Sequence, residues 1–160
     1  MSLEYVVDGY NAINHPLFSS LLKKNKDPRI ALLELIKRKK LCGSLKNRVI
    51  LVFDGYPPAL ASGYCAANAQ ILFSKDNSAD EKIRKMLESC AHPKATVVVS
   101  DDREVKFYAK NAGAKALGIV EFMQVNKKSR PLRGKDLSKD ELNYTQVDSI
   151  NRELKKLWLK

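Results

Sequence analysis

Five short apolar runs divide the first 120 residues of the chain. They lie at residues 5–7, 49–53, 70–73, 96–99 and 115–119, and each of the first four is followed by a serine or an aspartate. Several runs are continuously apolar instead of alternating, which is typical of strands buried on both faces of a sheet. We therefore predict five strands, with the run at 115–119 the weakest.

Helical patterns fill the gaps between these runs. Asp27 followed by Pro28 predicts a helix start, because aspartate caps helix N-termini and proline fits the first helical position. Ser78 and Glu81 have the spacing of a capping box. The other helix signals are an apolar stripe at Ile30, Leu33 and Ile36, a helix that begins at Asp101 or Asp102 and ends at Gly113, and a last helix over roughly residues 145–159.

This alternation of strands and helices predicts the architecture. Strands that alternate with helices form a mainly parallel sheet covered on both faces, so we expect a three-layer α/β/α fold with about five strands. The 160 residues suffice for one ordinary domain. We place its body at residues 1–125, with residues 126–160 as a basic loop and a C-terminal helix packed on the same domain.

Composition excludes several classes of protein. No apolar run approaches the roughly 20 residues of a membrane span, and the N-terminus lacks the basic and apolar regions of a secretory signal. The three cysteines include no pair with C-x-x-C spacing, which disfavours a zinc site or a disulfide framework. We expect a cytoplasmic protein, with a monomer as the default oligomeric state.

Positive charge is concentrated in two segments. The net charge of the chain is +11, of which residues 23–48 carry +8 and residues 126–160 carry +5, so the remainder is slightly acidic. Such a surface favours a polyanion such as nucleic acid, although a solvated basic face is the alternative interpretation. The candidate phosphate-binding residues are Lys37, Arg38, Lys39, Lys40, Lys127, Lys128, Arg130 and Arg133.

Acidic residues follow three of the predicted strands. Asp8, Asp54 and the pair Asp101 and Asp102 come directly after apolar runs or one residue later, and Asp80 lies in the first turn of a helix that follows a strand. Ligands of open α/β sheets bind beyond the carboxyl ends of the strands. Four separate segments therefore direct carboxylates to one edge, where each acid could also be a simple cap or turn residue.

Helix geometry distinguishes Asp80 from Glu81. At about 100° per residue, Asp80 lies roughly 70° from the centre of the apolar stripe of its helix, whereas Glu81 lies nearly opposite that centre. We therefore expect Asp80 to face the sheet edge and Glu81 to face solvent or cap its own helix.

Clustered carboxylates raise each other's pKa unless a cation joins them. Oxygen ligands without histidine or cysteine suit a hard cation, Mg²⁺ or Mn²⁺, which can polarise a phosphodiester and activate a water molecule. An acidic edge within a basic surface is thus a plausible arrangement for phosphodiester hydrolysis.

Several ordered motifs resemble one known family. The run Val-Asp-Gly-Tyr-Asn-Ala-Ile at residues 7–13 resembles the NYN domain, the YacP-like branch of the PIN-like nuclease superfamily. The likeness ends near residue 122, and the tail beyond residue 126 has no counterpart in it. The other matching segments are 52–55, 73–74, 78–83, 98–104 and 113–114.

The resemblance implies a PIN-like fold, RNA as substrate and a metal-dependent ribonuclease. It places metal-binding acids at Asp8, at Asp80 and at either Asp101 or Asp102, because the Ser-Asp-Asp-Arg run fits the family pattern in two registers. Asp54 is a further acid of that pattern.

The resemblance also implies roles for three neutral residues. Asn11 would position a ligand or the scissile phosphate by hydrogen bonding. Ser78 and Ser100 would orient the metal-binding acids.

Three other functions compete with an endoribonuclease. A non-catalytic RNA-binding module of the same fold gains nothing from carboxylates that repel phosphate. A haloacid-dehalogenase-like phosphatase needs a second aspartate where Tyr10 stands, and a nucleotide-binding Rossmann domain needs a glycine-rich motif that is missing. Near the acidic edge, Tyr10 and Tyr56 are either stacking platforms for unpaired bases or ordinary packing residues.

Overall fold

The computed structural model describes residues 2–22, 24, 27–58 and 65–128, and it has the predicted α/β/α architecture. Its strands are β1 (Glu4–Asp8), β2 (Arg48–Phe53), β3 (Cys65–Ala66), β4 (Ala69–Phe73), β5 (Thr96–Val99) and β6 (Lys115–Leu117). Its helices are α1 (Gly9–Asn14), α2 (Pro16–Ser19), α3 (Pro28–Arg38), α4 (Ala79–Glu88), α5 (Arg103–Asn111) and α6 (Ile119–Lys128).

The sheet has the order β3-β4-β2-β1-β5-β6. All neighbouring strands are parallel except the short edge strand β3, which pairs antiparallel with β4. The chain builds outward from β1 through β2 to β4, and then returns to the other side of β1 for β5 and β6. The strand order therefore reverses between β1 and β5, which is where α/β sheets form a crevice at their carboxyl ends.

Alternate residues of the central strands enter two separate cores. Val7, Leu51 and Val99 pack on the face that also buries residues of α3 and α6. Val6, Ile50 and Val98 point to the opposite face, where α4 and α5 cover them. This two-sided burial explains the continuously apolar strand sequences and makes the three-layer prediction correct.

The predicted helix starts are present with their caps. The carboxylate of Asp27 accepts a hydrogen bond from the Arg29 amide at 2.9 Å, and the Ser78 hydroxyl accepts one from the Glu81 amide at 3.1 Å. Of the two candidates for the third helix, Asp102 is the N-cap. The helix that it begins stops before Gly113, whose φ of +85° ends a helix at little steric cost.

The structure corrects several predicted boundaries. Ile119 is the first residue of α6 and not the end of a strand, and α6 reaches Lys128, so the predicted loop does not begin at residue 126. Ile30 is exposed although it was assigned to the buried stripe of α3. Short apolar runs fit a strand and a buried helix face equally well, which explains the error at Ile119.

Other elements were not predicted at all. Helix α1 begins directly after Asp8, for which the sequence left a cap or turn role open, and α2 and the antiparallel β3 are too short to leave a periodic pattern. The predicted helix at 145–159 and its packing lie outside the described residues.

Two further findings concern the excluded classes of protein. Among the described residues, no helix combines the length and apolar character that crossing a bilayer requires. Cys42 and Cys90 are free thiols, and burial raises the pKa of the Cys42 thiol to about 12.

Candidate active site

The carboxyl edge of the sheet holds the predicted acidic residues. Asp8 is the last residue of β1, Asp54 follows β2, Asp101 and Asp102 follow β5, and Asp80 is the second residue of α4. Because β1, β2 and β5 are parallel neighbours, their carboxyl ends lie side by side. We call the group that Asp54, Asp80 and Asp102 form around Asp8 the carboxylate edge.

Asp8 is buried, with 7% of its surface exposed. Its carboxylate accepts hydrogen bonds from the Asn11 amide at 3.3 Å and from the Ser100 hydroxyl at 3.4 Å. Burial is the main cause that raises the pKa of Asp8 to about 6, and the negative charges of Asp80 and Asp54 raise it further against the two hydrogen bonds. Asp8 is therefore a desolvated carboxyl group among like charges.

Asp80 faces the same group, as its predicted helix position requires. Burial raises its pKa first, followed by the charges of Asp102, Asp54 and Glu104, whereas Glu81 next to it is exposed. The four acids predicted from separate segments thus influence one another electrostatically.

Glu104 is an addition that the sequence argument missed. It lies in the first turn of α5, two residues after Asp102, and its charge contributes to the raised pKa of Asp80. The sequence did contain a signal for Glu104, namely its spacing from Asp102. Two acids this close to a helix N-terminus lie within one turn of each other.

Asp101 and Asp102 have different surroundings. Asp102 caps α5 through the Glu104 amide at 2.8 Å, its own amide donates to the Ser100 hydroxyl at 3.1 Å, and its charge acts on Asp80. Asp102 is therefore the member of the pair that belongs to the carboxylate edge.

The Asp101 carboxylate is directed to other partners. It accepts a hydrogen bond from the Ile119 amide at 2.9 Å, at the start of α6, and lies 3.6 Å from the Nε2 atom of His15. The Asp101 amide donates to the side-chain oxygen of Asn11 at 3.1 Å. Asp101 thus connects three segments around the edge.

The neutral residues divide into two kinds. Ser100, which is fully buried, bridges Asp8 and the Asp102 amide, and Asn11 joins Asp8 to Asp101. Ser78 instead caps its own helix through Glu81. Asp54 accepts a hydrogen bond from the Ala79 amide and so ties the end of β2 to the start of α4.

Gly9 allows the close packing behind Asp8. A Cβ atom at this position would lie 2.3 Å from the ring of the fully buried Phe53. Only glycine fits here without displacing that ring, a requirement that follows from tertiary contact and has no signal in the local sequence.

The donor chemistry of the carboxylate edge fits Mg²⁺ or Mn²⁺, since it consists of oxygen atoms. The geometry is less complete: within residues 2–22, 24, 27–58 and 65–128, no three histidine, cysteine, aspartate or glutamate side chains are grouped so that they could hold a metal ion. Assigning ligands to a metal therefore remains a proposal.

The basic candidates are not brought to this edge. Lys37 and Arg38 end α3, Lys39 and Lys40 follow it, and all four are exposed. Lys37 and Lys40 line a cavity together with Asn47, Val49 and Asn68, at the starts of β2 and β4. These residues therefore lie at the amino edge of the sheet, opposite the acids. The side chains of Lys127, Lys128, Arg130 and Arg133 lie outside the described part.

Comparison with known proteins agrees with this fold. Two crystal structures of Rae1 (YacP) from Bacillus subtilis, one of them of a mutant, match 98% of this chain at 23% identity. They are covered over 84% and 82% of their own lengths, with TM-scores of 0.55 and 0.58. At this identity the likeness concerns the fold alone. No curated protein matches the chain.

A family model extends the likeness along the sequence. The model of the YacP-like NYN domain matches residues 5–159. The expectation that the tail beyond residue 126 has no counterpart in the family is therefore wrong. The chain belongs to the family of YacP-like NYN domains.

Proposed function

We propose that this protein is a divalent-metal-dependent endoribonuclease that hydrolyses RNA phosphodiester bonds at the carboxylate edge. Membership of a family with a nuclease-like fold supports the reaction class and RNA as substrate. The single observation that carries the proposal is the convergence of Asp8, Asp54, Asp80 and Asp102 from four segments at one edge of the sheet, and the raised pKa values of Asp8 and Asp80 support it.

Both pKa values rise through burial and through the charges of neighbouring acids. Within the described part of the chain, no lysine or arginine is among the groups that shift either value. A site that assembles repelling carboxylates without a basic partner loses stability unless a cation joins them. Mg²⁺ or Mn²⁺ would supply that positive charge.

In this proposal Asp8, Asp80 and Asp102 would hold the metal, and Asp54 and Glu104 add negative charge around it. A bound divalent ion supplies Lewis acidity toward the phosphate and lowers the pKa of water. Ser100 holds the Asp8 carboxylate and the Asp102 backbone in a fixed relation. The Asn11 side-chain oxygen is engaged by the Asp101 amide, so its NH₂ group is the part that can donate to a phosphate.

One observation favours the alternative, a non-catalytic RNA-binding module. As noted above, no three candidate ligands in the described residues are grouped for an ion. The two functions predict different results when RNA is incubated with the protein and a divalent metal. The endoribonuclease cleaves the RNA, whereas the RNA-binding module binds it without cleavage.

The deciding experiment incubates a mixed RNA pool with the protein and Mn²⁺ and maps the fragment ends. We expect internal cleavage by the wild type, none by Asp80→Asn, and cleavage near the wild-type rate by the matched control Glu81→Gln, whose exposed side chain lies one residue away. Binding without cleavage would identify the RNA-binding module. Cleavage by Asp80→Asn at the wild-type rate would remove Asp80 from the proposed ligands.

A further inference from the structure

A row of aromatic rings and one arginine lies at the carboxyl ends of β2 and β4, on the face of the sheet that packs against α3. Tyr10 follows Asp8 and Gly9, and Phe53 immediately precedes Asp54. Phe53 and Phe73 are register partners on β2 and β4, with ring centroids 6.1 Å apart. The Arg29 guanidinium lies 5.5 Å from the centroid of the Phe73 ring. We call these four residues the aromatic row.

Tyr10 presents its ring in a fixed orientation. It packs edge-on against Phe53, with centroids 5.2 Å apart and planes at 83°, yet 38% of the residue is exposed. Phe53 is fully buried, and its ring fills the space beside Gly9. The Phe53 ring therefore supports the Tyr10 ring from the interior of the protein. An exposed aromatic ring fixed in this way binds a flat partner at little entropic cost.

Arg29 is similarly held. Its Nε and one Nη donate to the two oxygens of Asp27 at 2.9 and 2.8 Å. These bonds use two of the five N–H donors, so donors remain for a second anion such as phosphate. Arg29 also interacts electrostatically with Tyr10, so the two side chains lie near each other.

From this geometry we infer that the aromatic row is a subsite for one unpaired nucleotide of RNA, with its base stacked on Tyr10 and an adjacent phosphate on Arg29. The inference rests on the proposed function, since the cleaved strand must pass the neighbouring acids. It names single-stranded RNA as the substrate class, because a paired base has no free face for Tyr10.

Two features favour an unpaired nucleotide over other occupants. The row combines an exposed aromatic face with a guanidinium, which matches a base joined to a phosphate. Tyr10 and Phe53 also adjoin Asp8 and Asp54 along the chain, so a nucleotide on the row lies at the same edge of the sheet as the proposed site of cleavage.

The test measures binding of a short single-stranded RNA that contains one 2-aminopurine, whose fluorescence falls when it stacks. All variants carry Asp80→Asn, which prevents turnover. We expect quenching with the parent protein, which carries Asp80→Asn alone, and with Tyr10→Phe. Tyr10→Leu should bind the RNA roughly 10-fold more weakly and without quenching. Arg29→Gln should weaken binding without removing the quenching. Phe107→Leu, which changes another exposed aromatic residue, on α5, should bind like the parent.

A second arm needs no substitution in the row. RNA with an abasic residue at the probe position should bind the parent about 10-fold more weakly, and duplex RNA should show no quenching. Equal affinity for abasic and intact RNA, or quenching that survives Tyr10→Leu, would overturn the subsite.

The two proposals fail separately. If the wild type does not cleave RNA with Mn²⁺ but Tyr10-dependent quenching occurs, the nuclease proposal is wrong and the subsite belongs to a binding module. If the wild type cleaves RNA and Tyr10→Leu, in the Asp80→Asn background, binds the RNA as tightly as Asp80→Asn alone, the subsite alone is wrong.

Discussion

The two edges of the sheet carry opposite charges. The carboxyl edge holds Asp8, Asp54, Asp80 and Asp102, which repel one another, whereas the amino edge holds the basic end of α3 and Arg48. Helix α3 has 11 residues, about 16 Å in length, and it runs from one edge to the other. A cluster of basic residues in the sequence therefore says nothing about which edge receives it.

The edges also differ in packing. Behind Asp8, the Phe53 ring leaves no space for a Cβ atom on Gly9. At the amino edge, a cavity of about 580 Å³ lies among Arg48, Cys90, His92 and Thr96. At Gly9, therefore, the carboxyl edge has no spare volume, whereas the amino edge contains a cavity.

The largest expected effect tests the functional contrast between the edges. Asp8→Asn and Asp102→Asn should each reduce Mn²⁺-dependent RNA cleavage roughly 1,000-fold, because each removes a charge from the proposed metal site. Changing Lys37, Arg38, Lys39 and Lys40 together to alanine should leave the rate within about threefold, because those residues lie at the opposite edge. Single-turnover rates measure both. A large loss of cleavage rate in the fourfold variant would show that these four basic residues contribute to the reaction.

The next effect tests the packing contrast. Gly9→Ala should reduce the free energy of unfolding by about 3 kcal/mol, because the added methyl group overlaps the fully buried ring of Phe53. Ala91→Leu, on the wall of the amino-edge cavity, should change it by no more than about 0.5 kcal/mol. Urea denaturation provides the measurement, and equal effects of the two substitutions would contradict the contrast.

A smaller effect concerns the charge of Asp8 in metal-free protein. Its folded pKa of about 6 exceeds the ordinary value of 3.8, so between these pH values the folded state binds more protons than the unfolded state. The contribution of Asp8 to the free energy of unfolding is therefore most favourable below pH 4, and it falls as the pH rises toward 6.

Asp8→Asn keeps the helix cap but cannot ionise. It should stabilise the metal-free protein by about 2 kcal/mol at pH 7.5 and by almost nothing at pH 4. Thermal or urea unfolding in the presence of EDTA, at both pH values, checks this sign. A variant that is less stable than the wild type at pH 7.5 would show that Asp8 is not a destabilising charge.

The smallest effect separates the neighbouring aspartates. Asp101→Asn should slow cleavage only about fivefold and leave the Mn²⁺ concentration for half-maximal rate unchanged, because asparagine can still accept the Ile119 hydrogen bond. Asp102→Asn should raise that Mn²⁺ concentration. The opposite pattern would assign the metal to Asp101.

Much of this arrangement follows from the sequence alone. The continuously apolar strands, the caps at Asp27 and Ser78, and the acids placed after strands are local properties, and local chemistry fixes them. Parallel strands then bring their carboxyl ends to one edge whatever the details of packing, so Asp8, Asp54 and Asp80 were predictable as neighbours.

Tertiary structure alone decided the rest. The adjacent residues Asp101 and Asp102 diverge because Asp101 accepts a hydrogen bond from the distant Ile119 amide, whereas Asp102 accepts one from Glu104 in its own helix. The requirement for glycine at position 9 comes from Phe53, 44 positions away in the chain. The placement of Lys37 and Lys40 opposite the acids comes from the direction of α3. Each of these depends on contacts between residues distant in sequence, which no local pattern encodes.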